Sequence, residues 1–181
     1  MPLDTREEPM PRRSFAVMAL VIGAAVLVGF TMLPRFAQPR SGLIGKPAPD
    51  FALQVIGHPS DRVNLADLHG KAVVLSFWAS WCGPCQLEAP ALDRLARRMR
   101  DRNVAVVGVN TNDQLAKASA FVRQKNLSYT FVFDEGSEVA ERYGVESLPT
   151  LVVIDKNGLV TAVRTGLTDE SSIEALVSAS M

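Results

Sequence analysis

Phe15 to Leu33 is a run of 19 residues without a charge, FAVMALVIGAAVLVGFTML. As a helix rising about 1.5 Å per residue, it comes close to spanning the roughly 30 Å hydrocarbon core of a bilayer. Its polar members, Gly23, Gly29 and Thr31, are tolerated in lipid. A buried core helix fits poorly, because core helices are rarely apolar all round and this run lies at one end of the chain. A cleaved export signal needs small residues in an A-x-A-like pattern. Here the run is followed by PRFAQPR, with Arg35 two positions before Ala37. An uncleaved anchor over residues 15–33 is therefore expected. The pair Arg12-Arg13 bears a faint likeness to a twin-arginine signal, a pattern also common in ordinary export. Charge orients the anchor weakly. Arg6, Arg12 and Arg13 precede it, and Arg35, Arg40 and Lys46 follow it. The crowding of Arg12 and Arg13 at the membrane edge leans towards an N-terminus inside.

The anchor divides the chain into a tail, residues 1–14, the span itself, a linker over 34–45 and a globular remainder, 46–181. The linker reading rests on Pro34, Pro39, Gly42 and Gly45. The remainder is long enough for one good core. It carries 14 Lys and Arg against 16 Asp and Glu, a formal charge of −2. With 48% hydrophobic residues overall and no net charge, disorder is excluded, and so is nucleic-acid binding through bulk positive charge.

Strands and helices alternate along residues 46–181. Phe51–Ile56 is a short strand. Ala72–Trp78 is almost wholly apolar, as a strand covered on both faces requires. After Gly83-Pro84, the positions Leu87, Ala91, Leu95 and Met99, with Leu92 and Ala96, form an apolar stripe at helical spacing. Arg94, Arg97, Arg98 and Arg100 occupy the other side as a solvated face. Val104–Val109 is a second buried strand, and Asp113 is placed to cap a helix running to about Lys125. Further strands are expected at Tyr129–Phe133, Thr150–Ile154 and Leu159–Arg164. Asn157-Gly158 signals a hairpin between the last two. Short helices are expected at Ser137–Tyr143 and from Thr168–Asp169 onwards. The order implies an α/β fold with a central mixed sheet.

Only two cysteines are present, Cys82 and Cys85, so a disulfide-stapled scaffold or a four-cysteine metal site is excluded. They stand between a buried strand and a helix. At the first helical turn, free N–H groups and the helix dipole stabilise a thiolate on Cys82 and make it the attacking sulfur. Cys85 lies one turn on, within reach for a disulfide. Thiol–disulfide exchange needs such a pair, one sulfur to attack and one to resolve. Pro84 is acceptable at an early helix position, which needs no N–H. Half a metal site would need two more ligands, and His58 and His69 stand eleven residues apart in a hairpin or loop region, both read as solvent-exposed. A purely structural disulfide closing so short a loop would stabilise little.

The segments FWASWCGPC (77–85), IGKPAPDFAL (44–53), Cys85-Gln86-Leu87-Glu88-Ala89-Pro90, Tyr143-Gly144-Val145 and Leu148-Pro149-Thr150 together resemble the membrane-anchored TlpA-like thioredoxins, with their ResA-like and CcmG (DsbE)-like members. The resemblance covers about Leu43 to Ala179. It implies a thioredoxin fold. It also implies that Pro149 is a cis-proline placing the Leu148 backbone beside the dithiol to pair with an extended substrate. Glu88 would be an active-site glutamate, able to take the Cys85 proton. Trp81 would shield and present Cys82, whereas Trp78 is read as core. Two departures stand out. Ser76 occupies the position where thioredoxins carry a buried Asp, and Ser147-Leu148-Pro149 replaces a Gly-x-Pro segment.

The expected function is a membrane-tethered thiol–disulfide oxidoreductase on the extracytoplasmic (periplasmic) side. Its Gly-Pro dipeptide matches reducing thioredoxins, so it is expected to reduce protein disulfides. The family implies a membrane thiol carrier as electron donor and apo-cytochrome c or a metal-site assembly factor as substrate. No cofactor, metal or nucleic acid is expected. Two alternatives stay open. One is a peroxiredoxin-like peroxidase, against which Ala79 stands where those enzymes have Thr or Ser. The other is a copper or haem chaperone.

Overall fold

The computed structural model describes residues 18, 20–24 and 42–181. The chain divides into two compact units, Met1–Pro39 and Arg40–Met181. In the first, residues 20–24 are helical and exposed. The expected tail, most of the expected anchor and most of the linker lie outside the described residues. Among the described residues no helix is long and apolar enough to cross a membrane.

The second unit is built on one mixed sheet. Its strands are β1 (Ala52–Val55), β2 (His58–Asn64), β3 (Ala72–Trp78), β4 (Val104–Asn110), β5 (Thr130–Phe133), β6 (Thr150–Ile154) and β7 (Val160–Thr165). They lie in the order β2-β1-β5-β4-β3-β6-β7. β3 pairs in parallel with β4, and β4 with β5, while the remaining pairs are antiparallel. The helices are α1 (Gly83–Arg98), α2 (Leu115–Lys125), α3 (Glu138–Arg142) and α4 (Glu170–Ser178).

Every residue of β3 is buried, and the two-residue period of the strand says why. Val73, Leu75 and Phe77 enter one core with Val107, Val109, Tyr143 and Val152. Val74 enters a second with Leu92 and Leu95 of α1, Met99 at its C-cap, and Ile173 and Val177 of α4. Ser76 and Trp78 share the face of Val74; the Ser76 hydroxyl bonds Glu88 of α1, and the Trp78 indole packs on Phe121 of α2 and Phe131 of β5. The expected hairpin is present. Gly158, at φ +83°, closes the turn with its amide on the Asp155 carbonyl, and the Asp155 carboxylate accepts from the amides of Asn157 and Leu159.

Two local expectations need correction. Leu87 is 71% exposed rather than part of the buried stripe. The inward face of the first turns is taken by Cys85, Glu88 and Ala89, and Leu87 falls one position off it. Asp113 does not cap α2. Its N-cap is Gln114, which makes no side-chain capping bond, and the Asp113 carboxylate is engaged elsewhere.

Candidate active site

The parallel pair β3 and β4 ends where α1 begins, and the dithiol stands at that junction. Cys82 is the N-cap residue of α1 and joins Cys85 in a disulfide. The amide of Cys85 points at Cys82 Sγ, 3.2 Å away. This is the helix's own unsatisfied donor supplied to the sulfur, the arrangement that favours a thiolate once the bond is reduced. The cysteines are 4% and 5% exposed. Beneath them lie Trp78, Phe121 and Phe131, with Leu148 packed against the same cluster. Trp78 is core, as expected. Trp81 is 60% exposed, and its Nε1 donates to the carbonyl of Asn112 at 2.9 Å.

The Leu148–Pro149 peptide bond is cis. A groove of about 290 Å³ is lined by Trp81, Thr111, Asn112, Glu141, Glu146 and Leu148, and Leu148 also packs on the cluster that holds both cysteines. Its place beside the dithiol suits an extended polypeptide.

Glu88 is buried beneath α1, at 1% exposure. Its Oε1 accepts from the amide of Thr168 at 3.0 Å and its Oε2 from Ser76 Oγ at 3.3 Å. Burial pushes its carboxyl above the ordinary carboxylate range, and the bonds from Thr168 and Ser76 pull back only in part. A carboxyl whose burial favours the protonated form is a better proton acceptor than a solvated carboxylate, which suits an acid–base group. The position where thioredoxins carry an Asp thus holds a hydroxyl that serves the glutamate across the α1–β3 interface.

The structure brings Cys82, Cys85, Trp81 and Leu148 together, with Glu88 one turn below Cys85 on α1. His58 and His69 are both exposed. Among the described residues no three His, Cys, Asp or Glu side chains converge to hold a metal ion. Sequence reasoning missed Thr168 and the role of the stretch from Asn110 to Asp113. The signal for the latter was available: loops at the carboxyl ends of adjacent parallel strands gather at one edge of a sheet.

The sequence profile of the AhpC/TSA family matches residues 44–163. The thiol-disulfide oxidoreductase ResA of Halalkalibacterium halodurans is 30% identical over 90% of this chain and 92% of its own length. ResA of Bacillus cereus is 33% identical over 82% of this chain and 85% of its own. A Chlorobium tepidum protein assigned as the thiol:disulfide interchange protein DsbE superposes with a TM-score of 0.71 at 34% identity, covering 76% of this chain and 96% of that one. MTB DsbF superposes with a TM-score of 0.65 at 29% identity, over 72% and 95%.

Proposed function

The chain belongs to the AhpC/TSA family, among its ResA- and DsbE-like thiol–disulfide oxidoreductases, and on that premise we propose that it is a membrane-tethered reductant of protein disulfides outside the cytoplasm. The observation that carries the reading is the Cys82–Cys85 pair at the N-terminus of α1, with the Cys85 amide on Cys82 Sγ.

In the reduced protein the Cys82 thiolate attacks one sulfur of a substrate disulfide. A mixed disulfide forms and one substrate thiolate leaves. Glu88 takes the Cys85 proton, and the Cys85 thiolate attacks Cys82 Sγ. The second substrate thiolate leaves, and the protein is left oxidised, as in the structure described above. Two electrons have passed to the substrate, and an external dithiol, a membrane thiol carrier, restores them. Trp81 and the Leu148-Pro149 loop flank the incoming chain. The Leu148 backbone makes no hydrogen bond among the described residues, which leaves its amide and carbonyl available to pair with an extended peptide. Cytochrome c maturation or metal-site assembly supplies substrates of this kind. The uncharged run 15–33 supports the tether, and the helical, exposed residues 20–24 accord with it.

Trapping tests the reading. Cys85→Ser leaves Cys82 able to attack and removes the resolving sulfur. Mixed disulfides through Cys82 are expected to accumulate in cells and to vanish on reduction. A Cys85→Ser protein that captures no partner in its native compartment would overturn the proposal.

A further inference from the structure

The segment that delivers Cys82 is held from outside its own strand. The carbonyl of Trp78, the last residue of β3, accepts from the amide of Thr111 at 3.0 Å and from Asn110 Nδ2 at 3.4 Å. Ser80 gives its amide to Asp113 Oδ2 at 2.5 Å and its hydroxyl to Asp113 Oδ1 at 3.0 Å. Trp81 Nε1 is on the carbonyl of Asn112. The Cys82 amide donates to the Ala79 carbonyl at 3.1 Å, so the cysteine follows wherever this segment is set. Asp113 is the hub. Besides Ser80 it accepts from Asn110 Nδ2 at 3.0 Å and from the Gln114 amide at 2.7 Å, four donors on one carboxylate. An acid just ahead of a helix ordinarily caps it, yet here the carboxylate turns to a residue 33 positions earlier.

We propose that Asp113 is a positioning residue of the exchange reaction: by clamping Ser80 to the end of β4 it sets the orientation from which Cys82 attacks and the stance of Trp81 against the substrate. It acts through Ser80 and contacts neither sulfur. This rests on the oxidoreductase reading above. Burial raises the Asp113 carboxyl, but the bonds from Asn110, Ser80 and Gln114 outweigh it and hold the group below the usual carboxylate range. The clamp is therefore closed throughout the neutral range.

The test uses the full-length chain and two readouts: kcat/KM for insulin reduction with dithiothreitol as donor, and the equilibrium constant of the Cys82–Cys85 pair against glutathione. Asp113→Ala is expected to lower kcat/KM about 10- to 100-fold, the penalty for a misplaced reacting group. The glutathione constant should fall as well, because a loosened Cys82 meets Cys85 less often. A residue that merely stabilises the fold would leave that constant in place, since it serves oxidised and reduced forms alike. Asp113→Asn keeps three of the four hydrogen bonds by turning its amide towards the Ser80 hydroxyl. It is expected to restore most of the rate, with an unaltered pH profile of Cys82 alkylation. Should Asp113→Ala fail to fold, Ser80→Ala removes one bond of the clamp and is expected to show a smaller loss in both constants. A wild-type glutathione constant, for Asp113→Ala or in its absence for Ser80→Ala, overturns the proposal whatever the rate, and so does a wild-type kcat/KM. An inactive wild type would instead sink the oxidoreductase reading, and this proposal with it.

Discussion

At the scale of single residues, Glu88 carries an opposition between stability and activity. Its carboxyl is buried, with the Thr168 amide and the Ser76 hydroxyl as its partners. Its folded value lies above the ordinary 4.5, so the fold favours the protonated form. The corresponding stability is complete below that ordinary value and is lost as pH rises through the folded one. Glu88→Gln, which cannot ionise, is therefore expected to melt higher than wild type at neutral pH, with the gap closing as pH falls towards 4.5. A gap that stays constant with pH would overturn the assignment. The same substitution removes the acceptor proposed for the Cys85 proton. Resolution is expected to slow by about 100-fold, seen as a mixed disulfide that lingers in rapid-quench samples.

At the scale of elements, β4 shows how closely the layer under the dithiol is packed. A Cβ added at Gly108 would lie 2.7 and 2.9 Å from ring carbons of Phe131 and 3.1 Å from Trp78 Nε1. Neither ring has room to yield, since Trp78 packs at a tilt on Phe121 and meets Phe131 edge-on, while Phe131 also packs on Tyr129. Gly108→Ala is expected to cost about 1–3 kcal/mol in denaturant unfolding, as overpacked cores do. The contact between α1 and α4 divides differently. Leu95 is wholly buried, and Leu95→Ala should cost about 2–5 kcal/mol. Arg98 bonds Glu170 and Glu174 across the same contact with its side chain 47% exposed. In that solvent-screened setting Arg98→Ala should cost less than about 1 kcal/mol. The arginine face is thus solvated, as its spacing implied, and part of it also meets the acidic side of α4.

At the scale of the whole molecule, residues 42–181 contain the sheet, its three buried apolar clusters and the dithiol. They are expected to fold alone and to keep insulin reductase activity. The full chain should sediment with membranes and resist alkaline extraction, and the shortened chain should remain in the supernatant. Equal partitioning of the two would refute the anchor. Much of this organisation was legible in the chain itself. The position of β3, the start of α1 at the cysteines and the hairpin at Gly158 follow from apolar period, capping and turn chemistry, which act over a few residues. The Cys82–Cys85 pairing is equally local, a matter of one helical turn. What sequence reading could not supply are the meetings between distant groups: Asp113 with Ser80, 33 positions apart, and Glu88 with Thr168, 80 apart. Even the outward turn of Leu87 belongs here, because the sheet decides which face of α1 is covered. Local preferences choose an element's type. Which side chains meet depends on strand order and register, and these are settled only when the whole core closes.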